Sequence, residues 1–586
     1  MAAKVKMPSD APPKTTWWRD AIIYQIWPKS FYSANGGSTG DINGIISKLD
    51  YIKSLGANTV WLSPHYASPN IDEGYDISDY ESINPDYGTV EDAERLIREC
   101  HQRGLRIIFD LVINHTSDQH KWFQESRSSK DNPKRDWYIW RPAKYDEQGN
   151  RQPPNNWSSC FSQSAWTWDE KTQEYYLHLF AIEQPDLNWS NDECRHTIYK
   201  SAMEFWLERG VNGFRVDTVN MYSKPMDFPD APIQDKTKFI QNASSLFCNG
   251  PRMHEYLTEM GEILDRYDAM TVGELPCTPE TADVLRYVSL SSSELSMVFQ
   301  FDIVDLDRSP SDLFVDVGFN LNIFKDITNK WQTFIDGNDG WTTVFLENHD
   351  QGRSISRYAD DSPKNRVASA KMLATYLATL SGTPFIYQGQ ELGMSNVPSS
   401  WQANEYKDLN TINYLAEKRE GGAGEKELAK MLATGINKLA RDNARTPVQW
   451  TSGPNAGFTK EGVQPWMRIN DNFKQINAED QLQKEDSVLA YYKRILALRK
   501  EHSDLFTHGR FLLCPTQEEG IFAFIKRDRR SESKLALVVL NFSDKVVNFT
   551  VPQEAQLVKL TLAIETHETS STDELEPFGA KVFLSV

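Results

Sequence analysis

"CRHTIYKSAMEFWLERGVNGFRVDTVN" (residues 194–220) carries the alternation that decides the fold. Its first part reads as an amphipathic helix closed by Gly210, where a left-handed turn suits glycine. Its second part, "VNGFRVDTV", reads as a strand. That strand brings Arg215 and Asp217 two residues apart, and a period of two places them on one side. The guanidinium is then expected to hold the carboxylate oriented and ionised, lowering its pKa.

The same alternation extends along the chain. Strands are expected at "AIIYQIW" (21–27), "NTVWLSP" (58–64), "RIIFDLVINH" (106–115), "VNGFRVDTV" (211–219), "AMTVGEL" (269–275), "MVFQFDIV" (297–304), "WTTVFLENHD" (341–350) and "TPFIYQGQE" (383–391). Helices such as "INGIISKLDYIKSLG" (42–56) and "VEDAERLIRECHQRG" (90–104) lie between them, each closed by glycine. Eight strands alternating with helices imply a parallel sheet closed into a (β/α)8 TIM barrel.

The third repeat is too long for an ordinary loop. Residues 116–189, rich in Trp, Asn, Pro and Ser, are expected to form a small inserted domain after strand 3, over the carboxyl face of a barrel made of 1–115 and 190–507. Beyond residue 508 only short strands follow, from "GRFLLC" to "AKVFLSV", predicting a C-terminal antiparallel β-domain of sandwich type over 508–586.

Composition narrows the function. The 586 residues are 39% hydrophobic and 25% charged, with a net charge of −19. That charge disfavours nucleic acid and acidic membranes as partners and suits a neutral substrate. No apolar run is long enough to span a bilayer, and the polar start "MAAKVKMPSDAPPKTT" has no apolar core of a secretory leader. The six cysteines (100, 160, 194, 248, 277 and 514) show no C-x-x-C pair, as expected of reduced thiols in the cytoplasm. The expected state is a monomer.

The chemistry-bearing residues fall at one end of the strands, where barrel enzymes build their sites. Asp110 and His115 end strand 3, Arg215 and Asp217 strand 4, Glu274 strand 5, and His349 and Asp350 strand 7. Three carboxylates converging on one mouth suit glycosidic-bond cleavage, which needs an ionised group beside a protonated one. Metal-dependent hydrolysis would want a compact motif such as H-x-H or H-E-x-x-H, and none occurs.

With those residues in place the chain resembles the α-amylase clan, glycoside hydrolase family 13. The carrying motifs are "DLVINH" (110–115), "GFRVDTVN" (213–220), "VGEL" (272–275) and "FLENHD" (345–350), with "GYDISDY" (74–80), "QPDLNW" (184–189) and "ARTPVQW" (444–450). "QPDLNW" is similar to the α-glucosidase and oligo-1,6-glucosidase branch, of the fungal maltase type. The resemblance implies Asp217 as nucleophile, Glu274 as general acid and base, and Asp350 as the third carboxylate, on the 2- and 3-hydroxyls. The first two would stand about 5–5.5 Å apart, giving retention of the α-anomer.

It further implies that His115 and His349 bind sugar hydroxyls, that Asp72 and Arg445 close the non-reducing end, and that Tyr75 and Phe180 wall the first subsite. Closure makes the enzyme exo-acting on maltose and short oligosaccharides. Thr218, where 1,6-preferring relatives tend to have Val, implies α-1,4 preference, by about 1–3 kcal/mol. Isomaltase action, sucrose cleavage and transglucosylation are the alternatives. A non-catalytic transporter subunit or sugar sensor is the reading from another class, to be separated by turnover. Relatives often bind Ca²⁺ or Mg²⁺ after strand 1. Here "SANGGSTGD" (33–41) offers Asp41 as its single carboxylate, so neither metal nor cofactor is expected.

Overall fold

The computed structural model describes residues 15–161, 164–567 and 571–586. Eight strands form one sheet: β1 Ile23–Ile26, β2 Thr59–Leu62, β3 Arg106–Leu111, β4 Gly213–Val216, β5 Met270–Glu274, β6 Met297–Phe299, β7 Thr343–Val344 and β8 Thr383–Tyr387. Their order is β6-β5-β4-β3-β2-β1-β8-β7. Every pairing is parallel. Between β6 and β7 the ring closes through Thr343 Oγ1, which donates to the Val298 carbonyl at 3.0 Å.

The strands are buried on both faces, so they read as apolar runs and not as alternating ones. Each is shorter than its apolar run. β4 ends at Val216, yet the Asp217 N–H still donates to the Leu111 carbonyl at 3.0 Å, so Asp217 leaves the barrel on a fixed rung. β7 covers two residues, which leaves His349 and Asp350 on a loop.

The helix Val90–Gln102 starts at a Thr89–Asp92 capping box and buries Ala93, Leu96, Ile97 and Cys100 along one face. The helix expected over 42–56 is two helices, Ile42–Ser47 and Leu49–Leu55, because Lys48 leaves helical geometry at ψ 2°. The helical stretch ahead of β4 widens into a π turn over Tyr199–Glu204.

Between β3 and β4 the chain makes a helix, Lys121–Ser126, and a three-stranded antiparallel sheet of Trp140–Arg141, Glu174–Leu177 and Trp166–Asp169. Trp157, Trp166, Leu177 and Leu179 share a small core with Met221, Phe228 and Phe247 from the loop after β4. That shared core ties the insertion to the loop carrying Asp217. Isolated bridges from His115 to Asp186 and from Trp157 to Gln241 fix it further.

The C-terminal sheet contains β9 Arg510–Cys514, β10 Ile521–Arg527, β11 Leu535–Asn541, β12 Leu560–Glu565 and β13 Ala580–Ser585, in the order β9-β10-β11-β13-β12 and antiparallel. β11 is buried along its whole length because its alternate residues enter two cores. Ala536, Val538 and Leu540 face the barrel's core, while Leu535, Leu537 and Val539 fill a smaller one.

Candidate active site

Arg215 stands at the centre of the carboxyl face, 1% exposed. Register puts it opposite Asp110 on β3, and its Nη1 lies 2.8 Å from Asp110 Oδ1. The same Nη1 lies 2.6 Å from Asp217 Oδ1, and Nη2 lies 2.8 Å from Glu274 Oε2. One guanidinium therefore gathers carboxylates from β3, β5 and the end of β4. A buried cation needs such partners, since desolvation would otherwise exceed any gain.

Thr218 touches both carboxylates of interest. Its N–H donates to Glu274 Oε2 at 3.2 Å and its Oγ1 to Asp217 Oδ2 at 3.3 Å. It does so from φ 37°, which is strained for a β-branched residue. Its hydroxyl is thus turned onto Asp217.

On the other flank Gln25 Nε2 lies 2.8 Å from His349 Nδ1, and His349 Nε2 lies 2.5 Å from the Tyr75 hydroxyl. Tyr75 in turn donates to Asp110 Oδ2 at 3.3 Å. Burial pushes His349 down to about 3, so it is neutral. With the Gln25 amide donating to Nδ1, its proton sits on Nε2, toward Tyr75 and toward Asp350 Oδ2 at 3.3 Å. Tyr75 also lies parallel to the His349 ring at 5.4 Å.

Asp350 meets Arg445 at 2.9 Å and Arg441 at 3.1 Å. Both arginines also hold the buried Asp408, at 2.8 and 2.7 Å. Asp72 has Arg441 as its ion partner, at 3.5 Å, and accepts from Gln184 Nε2 at 3.1 Å. Asp72 and Arg445 thus belong to one network bridged by Arg441. His115 is buried, with Nε2 at 3.1 Å from Gln184 Nε2 and its ring 5.0 Å from Phe180. Phe161 packs edge-on against Phe180 and lies beneath Arg441.

Burial sets the proton affinities. It raises Glu274 to about 7 against the pull of Arg215. It raises Asp217 to about 6, where Arg215 opposes and the Asp110 charge assists. Arg215 does lower Asp217 as expected, but burial, helped by the Asp110 charge, outweighs it, so the net shift is upward. Burial would raise Asp350 as well, but the Nε2–H of the neutral His349 and the charges of Arg441 and Arg445 outweigh it and hold that carboxyl far below its usual range. The cluster rests with Asp350 ionised and Glu274 the more easily protonated of the β4–β5 pair.

The structure brings together Asp110 and the other eleven residues placed at this mouth from sequence. Missed there were Gln25, Gln184, Asp408, Arg441 and Phe161. Arg441 was findable, since it precedes Arg445 by four residues, the spacing of one helical face. Asp408 is the N-cap of the helix Leu409–Glu420, accepting from the Asn410 N–H at 3.0 Å. Asp41 caps the helix Ile42–Ser47, accepting from the Gly44 N–H at 2.6 Å and the Asn35 N–H at 3.0 Å. No group of three metal-binding side chains occurs among the described residues.

The chain belongs to the α-amylase family, whose catalytic-domain model matches residues 25–509. It is 51% identical to an α-glucosidase of Candida albicans over 97% of this chain and 99% of that one. It is 45% identical to an oligo-1,6-glucosidase of Parageobacillus thermoglucosidasius over 97% and 98%. Among solved structures, a mutant trehalose-6-phosphate hydrolase of Bacillus licheniformis superposes with a TM-score of 0.89 at 40% identity, covering 97% of this chain and all of that one.

Proposed function

We propose that the protein is an exo-acting, retaining α-glucosidase that releases α-glucose from maltose and short malto-oligosaccharides. The observation that carries this reading is the sharing of the Arg215 guanidinium by Asp217 and Glu274, beside an arginine-held Asp350. Asp217 attacks the anomeric carbon while Glu274 protonates the departing glycosidic oxygen. Glu274 then takes a proton from water, which attacks the same carbon, frees α-glucose and returns Asp217 as carboxylate. Asp350 accepts from the ring hydroxyls and favours the flattened, positively charged transition state. Asp72, Arg441 and Arg445 blunt the far end, so one glucose fits.

Transfer of the glucosyl group to a second sugar competes with water at high substrate. A monomer acting in the cytoplasm fits the separate thiols, and no helix among the described residues is long and apolar enough to cross a membrane. Similarity to an oligo-1,6-glucosidase at 45% identity favours α-1,6 cleavage as the second reading. Initial rates on maltose, isomaltose and sucrose, with the anomer of released glucose followed by NMR, test both. Maltose ahead with α-glucose first supports the proposal. Isomaltose ahead supports the second reading, and β-glucose first refutes retention.

A further inference from the structure

Asn220 is wholly buried three residues after Asp217, and its side chain reaches the loop that leaves β5. Its Nδ2 lies 2.7 Å from the Pro276 carbonyl and 3.1 Å from Thr278 Oγ1, just beyond Glu274 in the chain. A carbonyl oxygen only accepts, so the amide nitrogen must be the atom that faces Pro276. Asn220 therefore donates from the segment after Asp217 to the segment after Glu274.

The contact is braced from behind by Asn249. Its N–H donates to the Asn220 carbonyl at 2.8 Å, and its Nδ2 donates to Thr278 Oγ1 at 3.0 Å. It holds φ 57°, a left-handed backbone that asparagine adopts more readily than most residues. Tyr287, on the helix Thr281–Val288, donates its hydroxyl to Asn249 Oδ1 at 2.6 Å. Nearer the site, the Val219 N–H donates to the Glu274 carbonyl at 3.0 Å. β5 ends at Glu274, so Asn220 holds the two segments together where the β4–β5 ladder has stopped.

We propose that Asn220 is a positioning residue that sets Glu274 against Asp217. Losing its amide then weakens proton delivery to the leaving oxygen more than it weakens sugar binding. The proposal rests on the acid role given to Glu274 above. A general acid works only within hydrogen-bond reach of the atom it protonates, and a misplacement of about 1 Å costs about a hundredfold. Asp350, Arg441 and Arg445 hang from the loop after β7 and from the segment 441–445, so sugar binding is set elsewhere.

A displaced acid leaves a kinetic signature. A dinitrophenol departs from the sugar without a proton, whereas an unsubstituted phenol needs one. Moving Glu274 out of reach therefore steepens the dependence of rate on the leaving group. A role confined to stability would lower every rate alike.

The test measures kcat/KM on aryl α-glucosides running from dinitrophenyl to phenyl, with glucose inhibition alongside. Asn220→Ala is expected to lose about tenfold or more on the phenyl glucoside and about twofold or less on the dinitrophenyl one. Its glucose inhibition constant should stay within about twofold of the parent's. Thr278→Val, which replaces one of the two acceptors by a methyl, should move the same way by less. That variant gives the reading if Asn220→Ala does not fold. Equal losses along the series, or glucose binding weakened as much as turnover, overturn the proposal. Glu274→Gln is the reference, and it should show the steep dependence in full. If it does and the Asn220 and Thr278 variants stay parallel to the parent, the positioning role falls and the proposed function stands. If Glu274→Gln is itself parallel to the parent, the acid assignment falls, and the positioning role with it.

Discussion

Thr218 donates its hydroxyl to Asp217 Oδ2 across 3.3 Å from a backbone twisted to φ 37°. A hydroxyl hydrogen-bonded to a carboxylate favours the ionised form, and such bonds contribute about 1.5–3 kcal/mol. Thr218→Val keeps the shape and removes the donor. The acid limb of kcat/KM is expected to move upward in pH, and the maltose-to-isomaltose rate ratio to fall by about tenfold, within the usual reach of one polar group. Both are read from initial rates across pH. An unchanged limb would mean that the bond does not act on Asp217, and an unchanged ratio would remove Thr218 as a linkage selector.

The pH profile follows from burial. Asp217 must be ionised to attack, so activity rises with pH through about 6. Glu274 must be protonated to act as acid, so activity falls through about 7. A narrow bell for kcat/KM is expected, with its maximum between those values. Glu274→Gln should remove the alkaline limb on an aryl glucoside whose leaving group needs no proton.

Arg441 bridges Asp72, Asp350 and Asp408, so its loss should reach substrate binding more than chemistry. Arg441→Ala is expected to raise KM by about tenfold or more, the cost of removing one partner from a buried charge cluster. Arg441→Lys should recover only part, because a point charge cannot span three carboxylates. Steady-state kinetics on maltose separates KM from kcat, and a change confined to kcat would contradict this assignment.

Asp72 also carries a stability signature. Burial raises it from 3.8 to about 7, with Arg441 and Arg445 opposing. The folded protein therefore binds this proton more tightly than the unfolded chain. The contribution is fully present below about 4 and is lost as pH rises through about 7. Asp72→Asn should flatten that part of the Tm-against-pH curve, and an equally steep decline in the variant would contradict it.

The barrel was legible because its strands are buried on both faces and stand out as apolar runs, and because glycine closes the helices between them. The Arg215–Asp217 contact was legible from a spacing of two in one strand. The reach of Arg215 to Glu274 was not, since it depends on how β4 and β5 lie side by side. The proton affinity of Asp217 was misjudged for the same reason. Sequence shows the arginine beside it, but not the burial or the second and third carboxylates sharing that arginine. Phe161 joins the site from a loop and Asp408 from the start of the helix Leu409–Glu420, and it is tertiary packing that carries both to the barrel mouth.

The central claim is that Asp217 is the nucleophile. Incubation with a fluorinated α-glucosyl fluoride, which forms the glycosyl–enzyme quickly and hydrolyses it slowly, followed by peptide mass mapping, tests it most directly. The account predicts a sugar ester on Asp217, with Asp217→Asn unlabelled and slowed by about 10⁴-fold or more. Label on Glu274 or Asp350, or near-normal turnover in Asp217→Asn, would contradict it.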